Sequence, residues 1–201
     1  MSVDLDKDVE KKLDEILQKA TFLDLKDVPD IGLYMDQVLT LLGSKLTFLE
    51  SEDGDKALTK TMINNYSKNK LLPSPDKKKY KKNHIILLAL IYYLKSLLSI
   101  GEIKTLTTPL VDGYFDDEAD LSLSDIYETL SKHASNVSED TKKDVEKKLS
   151  QVKETFGDLE EDESQKLRLY SLISALSYDV FIKKHLIEEL IKEIDEEKKD
   201  L

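Results

Sequence analysis

A helix drawn through residues 58–68 of this sequence has two unlike faces. Leu58, Met62, Ile63 and Tyr66 share one arc, and Lys60, Thr61, Asn64, Asn65 and Lys68 share the other. The polar set has the donors and reach needed to contact phosphates and base edges when a short helix enters a major groove. Asn64 and Asn65 are the candidates for reading adenine. Lys60, Lys68 and Lys70 are candidates for phosphate. After the Pro-Ser-Pro-Asp turn at residues 73–76, Lys77, Lys78, Lys79, Lys81 and Lys82 surround Tyr80 and form a second ridge suited to phosphates. The chemistry implied is recognition of double-stranded DNA.

Charge distribution agrees with that reading. The 201 residues carry a formal charge of −11, which argues against indiscriminate nucleic-acid binding, but the total hides an island. Residues 59–105 hold ten lysines and only two acids, Asp76 and Glu102, whereas residues 1–58 hold seven lysines and fourteen acids. Residues 106–201 hold thirteen basic residues and twenty-five acids. A basic island between acidic flanks suits an anion-binding surface, and the same lysines would equally serve an acidic protein partner.

Other chemistries lack their residues. Cysteine is absent, which removes thiol catalysis, zinc fingers and disulfides and fits a reducing cytoplasm. His84, His133 and His185 are far apart and have no second ligand at metal spacing, so each is expected at a surface or a helix cap and no metal is expected. The acidic runs at residues 52–55 and 116–120 fail the calcium-loop template and read as solvated loops. There is no phosphate-binding glycine loop, dinucleotide fingerprint or nucleophile elbow, so neither a cofactor nor an enzyme is expected. The first thirty residues mix acids and lysines rather than forming a secretory signal, which points to the cytoplasm.

The elements that must position these residues are helices. Proline and glycine number 4 and 6, and apolar residues recur every three or four positions. One helix is expected on Leu5, Val9, Leu13, Ile16, Leu17 and Ala20, and a second over about 31–49, the latter closed by the acidic stretch 51–55. A short helix over 59–69 follows, then a buried helix over 83–98. The run IILLALIYYL at residues 85–94 is apolar throughout, yet Lys95 ends it well short of the ~20 residues a membrane span needs, so it reads as core. Ser99 and Glu102 have capping-box spacing for a helix reaching about Leu106, with Thr107-Thr108-Pro109 ending it. The last third reads as three helices, over 124–135, 139–156 and from 160 onward, and the terminal EEKKDL should fray. The long final helix has an apolar face of Leu169, Leu172, Ile173, Leu176, Val180, Ile187, Leu190, Ile191 and Ile194, expected to join two protomers as a homodimer or, as the alternative, to pack on the helix over 139–156 within one chain. The implied divisions are N-terminal helices over 1–58, a basic module over 59–108, and an acidic linker with a helical C-terminal region over 109–201.

The order of parts in residues 58–106 resembles the winged helix-turn-helix of the MerR family. The resemblance rests on Thr61, Asn65-Tyr66, Leu71-Leu72-Pro73, Lys79-Tyr80, Leu94, Leu97 and the segment from Ser99 to Lys104. It implies an all-α fold with a small basic wing containing Lys78, Lys79 and Tyr80, a second helix serving in the helix-turn-helix, and transcription regulation as the function. PDIGLYMDQVLTLL at residues 29–42, together with LTKTMINNYSKNKLLPSPDKKKY, is also similar to the bacterial family catalogued as domain of unknown function 1836, whose members are regarded as MerR-like regulators. The chain departs from MerR in three places. Lys70 stands where a glycine is usual, lysines replace the wing arginines, and the segment 50–58 is long and acidic. Lysine lacks the guanidinium fork, so the wing would hold backbone rather than read sequence. The alternative reading is a non-catalytic helical module that binds a protein and not DNA.

Overall fold

The computed structural model describes residues 5–49, 58–116 and 121–197. The acidic break 51–55, residues 117–120 of the second acidic run and the tail 198–201 lie outside the described residues. Helices dominate: α1 (Leu5–Lys19), α2 (Met35–Lys45), α3 (Lys60–Lys68), α4 (Lys82–Leu94), α5 (Ile100–Tyr114), α6 (Leu123–Lys153) and α7 (Glu161–Glu197). Two short strands, β1 (Leu33–Tyr34) and β2 (Lys79–Tyr80), pair antiparallel with Leu33 opposite Tyr80 and Tyr34 opposite Lys79. No helix among the described residues is long and apolar enough to cross a membrane.

The chain forms two compact units, one of Met1–Ala20 with Ala134–Glu189 and the other of Thr21–His133 with Leu190–Leu201. The second is built around α4. Ile85, Ile86, Leu87, Leu88, Ala89 and Ile91 are all sealed from solvent, as a helix apolar on every side must be. Leu23, Val38, Leu42, Ile63, Tyr66, Leu71, Leu72, Ile103 and Tyr127 belong to the same unit's core. Two tyrosine hydroxyls on α4 receive loop amides: Leu49 N–H donates to Tyr92 Oη at 2.7 Å and Leu23 N–H to Tyr93 Oη at 3.0 Å. Tyr93 Oη in turn donates to the Thr21 carbonyl, and burial pushes its pKa up to about 12. The other unit packs Leu149, Val152 and Leu172 with Leu5, Val9 and Leu176. Its rim carries the ion pairs Asp14–Lys142, Asp6–Lys153 and Lys148 with both Asp144 and Asp179.

Several sequence expectations are corrected. Residues 31–34 are not helical, because Leu33 and Tyr34 leave the helix to pair with β2, and α2 starts only at Met35. Pro109 does not end α5 but sits inside it at an exposed position. Ile103, Thr105 and Thr107 are buried along this helix, which continues through Tyr114, and Thr107 and Thr108 return their hydroxyls to the carbonyls of Ile103 and Lys104. The expected linker from residue 109 is therefore helical as far as Tyr114. The helices expected over 124–135 and 139–156 are one, α6. Ser138 and Thr141 donate to the carbonyls of Ala134 and Val137, so these polar residues are absorbed without a break. On α7 the expected stripe is only partly buried: Leu172 and Ile191 are covered, and Leu169, Ile173, Val180 and Leu190 are exposed.

Candidate nucleic-acid interface

α3 is framed by two local devices. Thr59 Oγ1 accepts from Met62 N–H at 3.2 Å at its start. At its end Leu71 N–H reaches back to the Tyr66 carbonyl at 3.0 Å and Lys70 N–H to that of Ser67 at 3.1 Å, with Lys70 at φ 61°. This is the Schellman arrangement, whose left-handed residue is usually glycine. Ile63 and Tyr66 are buried beneath the helix, and Lys60, Thr61, Asn64, Asn65 and Lys68 are exposed on its outer face. The five α3 residues singled out from the sequence therefore share one solvent-facing surface. Asn65 takes part in the C-terminal closure only through its carbonyl, which accepts from Asn69 Nδ2 and the Asn69 backbone N–H, so its amide remains outward.

The lysine ridge is the tip of a hairpin. Lys79 N–H donates to the Asp76 carbonyl at 2.8 Å, and Lys77 and Lys78 have φ of 47° and 64°. Two successive left-handed residues define the tight turn in which Asn-Gly is the favoured pair. Lys77, Lys78 and Lys79 are exposed together. Lys79 lies with its Nζ 5.6 Å from the Tyr34 ring centre, and its stem runs across Gly32, where an added Cβ would come within 3.0 Å of Lys79 Cβ. Lys81 is exposed at the N-cap of α4, and Lys82, half-buried, is 3.8 Å from Asp30.

Tyr80 departs from the group. At 4% exposure it belongs to the core and cannot reach a ligand outside. Its ring meets His84 edge-on at 5.5 Å, and Phe115 also meets His84 edge-on, at 4.9 Å. Tyr80 therefore anchors β2 to α4. His84 is the helix-cap residue that the sequence suggested, though a buried one: its Nδ1 accepts from Lys81 N–H at 3.1 Å. The same device starts α2, where Gln37 Oε1 accepts from Tyr34 N–H at 2.8 Å. Burial holds the His84 pKa below the usual imidazole range, with the Lys81 charge adding to the effect and the Ser74 backbone opposing it.

Sequence reasoning missed the strand pairing that attaches the hairpin. Two-residue strands show no alternation, and the only signal was the Pro-Ser-Pro-Asp turn before the lysines. Among the described residues no cluster of three or more histidine, aspartate or glutamate side chains could hold a metal ion. Neither curated proteins nor solved structures give a match to this chain. A family model described as Domain of unknown function (DUF1836) matches residues 23–130, a stretch that lies within the Thr21–His133 segment of the unit built on α4. On that match over more than half its length, and with α3, the hairpin and α4 all inside it, the chain belongs to the DUF1836 family.

Proposed function

We propose that this chain is a non-catalytic, DNA-binding transcriptional regulator. α3 enters the major groove of double-stranded DNA, Asn64 and Asn65 contact base edges, and Lys60, Thr61, Lys68, Lys70 and the hairpin lysines hold the backbone in a MerR-like winged arrangement. A homodimer formed through α7 would suit a two-fold operator.

The observation that carries the reading is the backbone of three lysines. Lys70, Lys77 and Lys78 all have left-handed φ angles, and holding such a conformation costs a bulky residue on the order of 1 kcal/mol or more relative to glycine. All three side chains are exposed, and none is in an ion pair among the described residues that would repay that cost. Charge occupies positions where local stability favours glycine or asparagine, which is the pattern of a surface kept basic for an anion outside the fold.

The test is a binding titration on a promoter fragment and a scrambled duplex at several salt concentrations. Contacts to about six phosphates give a log–log salt slope of about −5, and Lys78→Ala with Lys79→Ala flattens it by roughly two. Asn64→Ala narrows the difference between the two duplexes. Absence of binding at low salt by the folded protein would replace this reading with that of a protein-interaction module.

A further inference from the structure

We infer that a second copy of this chain packs antiparallel on α7 through the stripe Tyr178, Phe181, Ile182, His185 and Leu186. This names the surface of the dimer included in the reading above, and it differs from the stripe expected from sequence. Leu172 and Leu176 of that expected stripe turn into their own bundle with Leu149 and Val152. The new set follows the i, i+3, i+4, i+7, i+8 spacing of a single helix face. Its large apolar members remain in solvent, at 65% exposure for Tyr178, 56% for Phe181, 49% for Ile182 and 58% for Leu186. The rings are already ordered along it, with Tyr178 and Phe181 stacked at 6.2 Å and Phe181 meeting His185 edge-on at 4.5 Å.

Area and charge choose the occupant. Four large side chains about half open present on the order of 400 Å² of mostly apolar surface, near half of the ~800 Å² that each partner of a stable complex buries. The flanking Leu167, Ser171, Ser174 and Ala175 lengthen the same face. A two-fold axis between Phe181 and Ile182 sets Tyr178 level with His185 of the other copy. Glu188 and Glu189 then fall level with Ala175 and Ser174, which carry no charge. A parallel pair in register would instead set Glu189, which continues the face at i+3, i+4 and i+7 from Leu186, His185 and Ile182, against its own copy. Only the antiparallel direction therefore keeps like charges on this face apart.

Sedimentation velocity of the full chain across concentration is the test, joined to cysteine cross-linking that the cysteine-free sequence makes unambiguous. The expected result is a dimer that Phe181→Glu converts to monomer with helix content unchanged, while Val180→Glu, exposed on the opposite side of the helix, leaves it intact. Oxidised Ile182→Cys forms a covalent dimer, and Leu167→Cys does not, because the antiparallel pair holds those positions roughly 40 Å apart. A monomer at every concentration, a dimer indifferent to Phe181→Glu, or cross-linking through Leu167→Cys would overturn the inference. None of these readouts involves DNA, so a failure to bind DNA leaves the dimer standing, and a monomer leaves the DNA-binding test of α3 and the hairpin to be decided separately.

Discussion

Lysine is a poor choice for the left-handed backbone of Lys77 and Lys78, and exchanging it separates stability from binding. Lys77→Asn with Lys78→Gly, matching the turn's preference, should raise stability by about 1 kcal/mol or more, measured by chemical denaturation, and weaken affinity for duplex DNA. A rise in both quantities would sink the argument from strain. At His84 the effect is of pH. Its folded pKa lies below 6.5, so the folded state keeps the imidazole neutral while the unfolded chain binds a proton once pH falls beneath about 6.5. The stability present at neutral pH is thus lost as pH falls below 6.5, until the lower folded pKa is passed. The urea midpoint should drop between pH 7.5 and 5.5, and His84→Gln, which can still accept from Lys81 N–H as Gln37 does from Tyr34, should flatten that drop. Neither the burial of His84 nor that of Tyr80 could be read from residue types, because a lysine-rich neighbourhood looks exposed and only the pairing of Tyr80 with Leu33 draws it inward.

Helix boundaries were most legible where a side chain closes them. Thr59 and Ser99 cap α3 and α5, and Glu102 accepts from Ser99 N–H at 2.7 Å to complete the box. The sequence was misleading at Pro109, since local propensity opposes a helix there by about 3 kcal/mol and only the burial of Ile103, Thr105 and Thr107 against the rest of the unit outweighs it. Thr105 also donates to Asp195 at 2.9 Å. Pro109→Ala, at an exposed site, should therefore stabilise the protein by roughly 1–3 kcal/mol. A destabilised variant in the same denaturation experiment would mean that the proline ring itself packs. The converse case is the hairpin, whose strands are too short for a period and whose register is set by contact with β1.

On the scale of the whole molecule, α3 and the hairpin belong to one unit and the Leu149–Val152–Leu172 cluster to the other. Leu149→Ala removes a buried side chain from the Leu149–Val152–Leu172 cluster and should cost about 2–5 kcal/mol, yet the salt slope of the folded fraction on duplex DNA should not change. Ile63→Ala, beneath α3, should lower stability and also disturb DNA affinity. Equal effects of both variants on the slope would place the interface outside α3. The sequence by itself determined a helical chain, the buried nature of α4, the capped start of α5 and the basic island, because spacing, capping and charge are local properties. The tertiary structure decided that Tyr80 is core, that Lys77 and Lys78 form a strained tip, that α5 runs through Pro109, and which face of α7 stays in solvent. Each of these depends on partners distant in sequence, whose contact energies outweigh local preference.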